Sequence, residues 1–200
     1  MCGRYAFFDE EEAYEARKIL EDIARGFGQE RAQSVKKGEV FPSDTAAVRM
    51  QSPQGPIADA ARWGLPMPNK KGLVINAKSE TVFDRPLFKN NILWHKCLIP
   101  ASAFYEWEKR EGKNVKRTVR VRGKRLFYLC GLYARVSAEG APENRFVILT
   151  QPANEAMRAL HGRMPVIAPE AREKDWLCET HRTRALLEEI LAADARFDIV

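Results

Sequence analysis

The chain has 200 residues, 45% of them hydrophobic, enough to bury one core. No apolar run is long enough to span a membrane, and acidic Asp9-Glu10-Glu11-Glu12 stands where a secretory leader would carry its apolar stretch. A formal charge of +6 suits a polyanionic partner, whereas Cys2, Cys97, Cys130 and Cys178 are too dispersed for a CxxC motif and read as thiols of a reducing compartment.

Taken in chain order, residues 2–8 read as a short strand. Asp9 to Ala24 reads as an amphipathic helix, capped by Asp9 with Glu12 three residues on. Its Ala16, Ile19, Leu20, Ile23 and Phe27 share a core-facing stripe, and Gly26 and Gly28 end it. Thr45–Met50 and Ile57–Trp63 are expected strands around a Ser52-Pro53-Gln54-Gly55 turn. Leu73–Asn76 reads as a strand and 78–91 as helix in pieces, broken at Pro86. Cys97–Pro100 and Ala103–Glu108 read as strands, and Val115–Arg122 with Arg125–Leu132 as a hairpin around Gly123. Arg145–Thr150 and Met164–Ile167 are further strands. Pro152–Leu160, Ala171–Cys178 and Arg182–Ala192 read as helices. Strands outnumber helices without βαβ alternation, so the expectation is one α+β domain over residues 1–200, mainly antiparallel, with the C-terminal helices packed on it.

The cations are unevenly placed. Lys109, Arg110, Lys113, Lys116, Arg117, Arg120, Arg122, Lys124 and Arg125 face only Glu111 within 109–125. Such a run serves either a solvated hairpin face or a phosphate backbone.

Chemistry enters at Cys2. If Met1 is removed, Cys2 carries an α-amine and a thiol on adjacent carbons, which no internal cysteine can offer. The amine condenses with an aldehyde, and the thiol adds to the imine carbon to close a five-membered thiazolidine. The same residue can attack an acyl group as an N-terminal nucleophile, or be a small apolar strand residue. Three further polar residues stand in apolar company. Asn76 ends the Val74-Ile75 strand, as an anchor or as a helix cap. Glu106 lies inside Phe104-Tyr105-Glu106-Trp107, either buried with a raised pKa, as a general acid requires, or facing water by strand alternation. His161 follows a helix, as a proton shuttle or as a cap on a carbonyl. His95 and His181 read as structural, and no metal site is expected.

Six stretches in order bear a resemblance to the SRAP (SOS response-associated peptidase) family: Met1-Cys2-Gly3-Arg4, Arg62-Trp63-Gly64-Leu65, Asn76-Ala77-Lys78-Ser79-Glu80-Thr81, Cys97-Leu98-Ile99-Pro100-Ala101, Phe104-Tyr105-Glu106-Trp107, and His161-Gly162-Arg163-Met164-Pro165-Val166. The resemblance implies a barrel-like antiparallel domain and a protein that senses abasic sites in single-stranded DNA. It implies autocatalytic loss of Met1 and a covalent link through Cys2. By the same resemblance Asn76 orients the N-terminus and the substrate, Glu106 is the acid that opens the deoxyribose, and His161 moves protons. Arg4, Trp63, Lys78, Trp107, Thr150 and Arg163 would lie along the DNA. No cofactor and no membrane contact are expected, and the implied protein is a monomer of the cytoplasm and nucleoid, or of the nucleus in a eukaryote.

The chain departs from the family pattern in three places. Lys78 stands where the family has arginine, which keeps the charge and loses the bidentate fork. Leu65-Pro66-Met67-Pro68-Asn69 lacks the second tryptophan, and Phe41-Pro42-Ser43-Asp44 replaces a polar-Pro-Thr element. Two other functions compete: a peptidase or amidohydrolase acting in trans through Cys2, and a non-catalytic nucleic-acid module built on the 109–125 segment. The first would need an oxyanion-hole motif that the sequence does not display. The second leaves Cys2, Glu106 and His161 unexplained.

Overall fold

In a computed structural model of the chain, the structure describes residues 2–8, 13–68, 70–138 and 141–200. The elements run β1 (Tyr5–Phe7), α1 (Ala13–Phe27), α2 (Gln29–Gln33), β2 (Gly38–Val40), β3 (Thr45–Ser52), β4 (Gly55–Trp63), β5 (Leu65–Pro66), β6 (Leu73–Val74), β7 (Asn76–Lys78) and α3 (Asn91–Trp94). They continue β8 (Lys96–Ala101), β9 (Ala103–Arg110), β10 (Lys113–Val121), β11 (Phe127–Ala138), β12 (Ala141–Pro152), α4 (Glu155–Arg158), β13 (Arg163–Pro165), β14 (Ile167–Ala168), α5 (Glu173–Cys178), α6 (Thr183–Ala192) and β15 (Phe197–Ile199).

Alternating side chains pair β3 with β4 from Thr45↔Arg62 to Ser52↔Gly55, as their sequence predicts. From there β3 pairs with β8, β8 with β11, and β11 with β12. A parallel contact, Phe146↔Trp63, returns β12 to β4 and closes the ring. Closure leaves these five strands no free edge against one another. Trp63 occupies the inside, stacked on Phe146 with centroids 6.2 Å apart and met edge-on by Tyr5 at 5.3 Å.

Where β8 meets β11 and β11 meets β12, the strands approach closely at Gly131. A methyl group added there would lie 2.4 Å from Ile99 Cδ1 and 2.7 Å from the Val147 carbonyl oxygen. One of these is backbone in a closed sheet and cannot yield cheaply. Gly131→Ala is therefore expected to destabilise the fold by about 1–3 kcal/mol, read as a lower urea midpoint at unchanged slope.

A second sheet, in the order β15-β10-β9-β1-β2, lies alongside the ring. The chain crosses between the two at Ser102, a buried residue whose amide donates to the Ala6 carbonyl at 2.8 Å. This crossing places Phe104 and Glu106 of β9 beside the first residues of the chain. Outside the ring, α5 and α6 bury Trp176, Leu177, Leu186, Leu187 and Ile190. The stripe of α1 buries Ala16, Ile19 and Ile23 against the other side of the core. No described helix is long and apolar enough to cross a membrane.

Several sequence expectations need correction. The Asp9–Glu12 cap lies outside the described residues, and α1 runs on to Phe27. Gly28, at φ +91°, separates it from α2, a short helix that the polar composition concealed. Residues 79–90 form successive turns, not helical pieces. The expected hairpin around Gly123 does not form. β10 pairs instead with β9, from Lys113↔Arg110 to Val119↔Phe104, through a two-residue turn. Glu111 and Gly112 both have positive φ, +51° and +76°, the geometry that suits the twist of a tight hairpin. Gly123 only redirects the chain to the other sheet. The C-terminal strand β15 was also hidden in the sequence; it exists because β10 offers an edge at Val119–Val121.

Candidate functional site

The site assembles where β1, β7, β9 and the segment before β13 meet. β7 is too short to be stable alone and is held by parallel pairing to β12, with Ile148 opposite Asn76 and Thr150 opposite Lys78. That pairing aims the Asn76 amide at the chain start. Its Nδ2 donates to the Cys2 carbonyl oxygen at 3.0 Å, bridging residues 74 positions apart. The other end of the same amide, Oδ1, is buried with no hydrogen-bond partner among the described residues.

Cys2 is fully buried. Burial, with the nearby Glu106 charge second, pushes its thiol up to about 12. In this state the sulfur is a protonated thiol, not a nucleophilic thiolate. Glu106 is 3% exposed. Burial raises its carboxyl pKa, against the pull of neighbouring positive charge that includes His161. The buried alternative for Glu106 is therefore the one realised. By alternation Glu106 shares its face of β9 with Phe104 and Glu108, and Glu108 is held by Arg117 at 2.7 Å.

His161 follows the last turn of α4, its amide bonded to the Met157 carbonyl. Its Nδ1 lies 3.0 Å from the Arg163 amide nitrogen and 3.2 Å from the Arg163 carbonyl oxygen. A neutral ring can accept from the first at Nδ1, and a protonated ring can donate to the second. Either protonation state finds a backbone partner, which is what a proton shuttle requires.

Across residues 1–199 the sequence matches the family described as SOS response associated peptidase (SRAP). The chain belongs to the SRAP family. It is 32% identical to the abasic site processing protein YoqW of Bacillus subtilis, over 96% of this chain and 86% of that protein. It is 27% identical to the abasic site processing protein YedK of Escherichia coli, over 88% and 79%. A crystal structure of a Bacteroides thetaiotaomicron protein superposes with a TM-score of 0.78 at 19% identity, covering 99% of this chain and 90% of that one. A Bordetella bronchiseptica protein gives 0.75 at 23% identity, covering 100% and 98%. These two show a shared fold.

The SRAP resemblance also named residues along a DNA path, and the structure divides them. Trp63 is 0% exposed, and its Nε1 donates to the Ile75 carbonyl oxygen at 2.9 Å. Turning it outward would expose roughly 200 Å² of ring surface, a cost of about 5 kcal/mol. Trp63 is a core residue, not a base-facing one. Thr150 is likewise fully buried. Its hydroxyl lies 3.2 Å from Arg163 Nε and 3.4 Å from the Ala77 carbonyl oxygen. It positions Arg163 and presents nothing to a ligand. Arg163 itself forks onto Glu80 at 2.7 and 2.9 Å and donates to the Thr150 carbonyl oxygen at 2.7 Å. Its guanidinium holds the Glu80 carboxyl down at about 2. This clamp ties β13 to the turn after β7, so it supports Asn76 and His161 from behind.

Lys78, Arg4 and Trp107 are placed differently. Lys78 is exposed and shares the face of β7 with Asn76, since alternate strand residues point the same way. Arg4 lies between two rings, 4.3 Å from the Phe41 centroid and 4.9 Å from that of Trp107, with Glu39 at 3.0 Å. Sequence reasoning missed Phe41 and Glu39 as members of this cluster. The exposure of Phe41 (38%) is a tertiary property, and only the Tyr5↔Val40 pairing brings it beside Arg4. Tyr5, a strand residue by its sequence, also has a buried hydroxyl with no hydrogen-bond partner among the described residues.

Proposed function

We propose that this SRAP chain processes abasic sites in single-stranded DNA, forming a covalent link through Cys2 once Met1 has been removed. The observation that carries the proposal is the Asn76 bond to the Cys2 carbonyl beside buried Glu106. It fixes residue 2, the one position able to offer an amine and a thiol on adjacent carbons, near a carboxyl whose pKa burial raises. The names of the relatives supply the damaged DNA as the class of target.

The chemistry follows from the residues. An abasic deoxyribose is a cyclic hemiacetal in equilibrium with an open aldehyde. Protonated Glu106 donates to the ring oxygen as the C1′–O bond breaks, and the hydroxyl proton of C1′ leaves as the aldehyde forms. The Cys2 amine adds to that carbon, and loss of one water gives the imine. The thiol adds to the imine carbon, its proton passing to the imine nitrogen, and the thiazolidine closes. The net change is one water released. His161 carries protons between these steps, neutral and protonated forms each having a backbone partner. Asn76 Oδ1, an acceptor without a partner, is suited to receive an N–H of the liberated amine and turn its lone pair toward the aldehyde.

Removal of Met1 by the same group of residues belongs to this reading. While Met1 is attached, the nitrogen of Cys2 is an amide and the thiol is held protonated, so no cross-link forms. Intact-mass measurement of the purified protein, before and after mixing with an abasic oligonucleotide, tests both parts. The expected result is loss of one methionine, then a gain of the oligonucleotide mass minus one water. A protein that keeps Met1 and still gains that mass would overturn the proposal.

A further inference from the structure

Seven of the nine cations in the basic run fall into two groups. Lys116 pairs with Glu39 at 2.6 Å, Arg117 with Glu108 at 2.7 Å, Arg122 with Asp198 at 2.7 Å, and Lys124 with Glu170. Lys109, Arg110 and Lys113 are exposed and have no ion pair among the described residues. All three cluster at the turn joining β9 and β10.

The architecture sets this turn apart. Strand β1 pairs with β9 only at Ala103 and Phe104, and β15 pairs with β10 only over Val119–Val121. Two backbone bonds extend this slightly, Tyr105 N–H to the Arg4 carbonyl and Thr118 N–H to the Val200 carbonyl. Beyond them, residues 108–117 form a two-stranded arm with no third strand among the described residues. The arm carries five cations, Lys109, Arg110, Lys113, Lys116 and Arg117, against the carboxylates Glu108 and Glu111. An isolated two-stranded hairpin is marginal in water, and this one buries almost nothing. Its length and charge have no use in the core.

Its root has a use. The arm is the direct continuation of the strand holding Glu106 and Trp107. At ~3.3 Å per residue, Arg110 lies about 13 Å along the strand from Glu106. By alternation Arg110 and, opposite it, Lys113 share the face of Glu106, while Lys109 shares that of Trp107. A strand of nucleic acid whose reactive sugar sits at Glu106 would meet these cations through phosphates a few nucleotides away.

We propose that the β9–β10 arm binds the phosphates of the undamaged single strand flanking the reactive nucleotide, with Lys109, Arg110 and Lys113 as the contacts. The inference rests on the function proposed above and adds a second, non-covalent subsite to it. That subsite supplies affinity without sequence preference, because phosphates carry none.

The test uses the mature full-length protein and two probes. The first is an intact thymidine 20-mer, bound at equilibrium across a salt series. The second is an abasic nucleotide with one flanking nucleotide on each side, scored for covalent adduct. The variant K109Q/R110Q/K113Q is compared with wild type and with R17Q/K18Q/K174Q, which removes the same charge from exposed positions on α1 and α5. For the arm variant the 20-mer affinity should fall about tenfold or more near ~0.1 M salt, and the salt slope should shrink by about 2, at ~0.7 per single-strand phosphate contact. The remote variant should keep the wild-type slope, and all three proteins should cross-link the short probe equally. A wild-type slope in the arm variant would overturn the inference and leave the cations as guards of open strand edges. An equal loss of slope in both variants would overturn it as well, since net charge alone would then be responsible. If no protein cross-links the short probe while the slopes still differ, the covalent reading fails and the arm stands.

Discussion

Cys2→Ala is expected to abolish the stable adduct with abasic single-stranded DNA while leaving non-covalent binding intact. Prepared with Met1 already removed, the alanine variant still has an α-amine on residue 2 and can still form an imine. It has no sulfur to close the ring, and an imine hydrolyses readily. On a denaturing gel without reductant the shifted band should fall by at least ~100-fold, the scale on which loss of a committed nucleophile acts. Adding a borohydride should restore part of it by trapping the imine. This second arm separates a chemical loss from a misfolded variant when the trapped band exceeds that of heat-unfolded protein, whose lysines capture the aldehyde without a site. A persistent band without reductant would place the cross-link elsewhere, since neither buried Cys97 and Cys130 nor exposed Cys178 carries the free amine that a thiazolidine needs.

Glu106→Gln is the second large effect. Replacing a positioned general acid typically costs ~10²–10⁴-fold in rate, read here as single-turnover adduct formation. The pH dependence discriminates further. In the wild type the rate rises as the Cys2 amine loses its proton, near ~8 for a free α-amine. It falls as Glu106 loses its own, at a pH raised by burial above the ordinary carboxyl range. Glutamine should remove the falling limb and leave the rising one.

Stability should move the other way. An unfolded glutamate ionises near ~4.3, whereas the folded one holds its proton to higher pH. As pH rises from the unfolded value through the folded one, the unfolded state is increasingly favoured, and above the folded value the full penalty is present. Glu106→Gln has no such penalty, so its melting temperature should overtake that of wild type as pH increases through this window. Slower chemistry combined with higher stability at neutral pH marks a residue whose burial serves the reaction.

Part of the fold could be read along the chain. The alternation of Thr45–Ser52 and Gly55–Trp63 and the turn between them predict the pairing found, because a tight hairpin depends on neighbours in sequence. The pairing of β10 could not be read this way. Gly123 offered a turn as good as Glu111-Gly112, and which turn becomes a hairpin depended on two different sheets competing for the flanking strands. The polar residues of 79–90 suit helix and turn alike, so their sequence does not distinguish the turns found there. The segment is fixed instead by contacts such as the Arg163 clamp on Glu80.

The site shows the same division more sharply. The sequence alone determined the chemical capacity of the molecule: an amine and a thiol that only Cys2 can offer together once Met1 is removed, a carboxyl among aromatics at Glu106, an imidazole at His161, and the ordered motifs that resemble one family. These are properties of residue type and order, and folding does not change them. Only the tertiary structure decided which residues face what. It turned Trp63 inward and made Thr150 a support for Arg163, although the resemblance puts both along the DNA. It also chose the buried reading of Glu106, and it left three cations on an arm without an ion pair among the described residues while neutralising four others of the same run. Burial and pairing depend on strands that are distant in sequence, Phe146 beside Trp63 and Glu39 beside Lys116, and no local pattern carries that information.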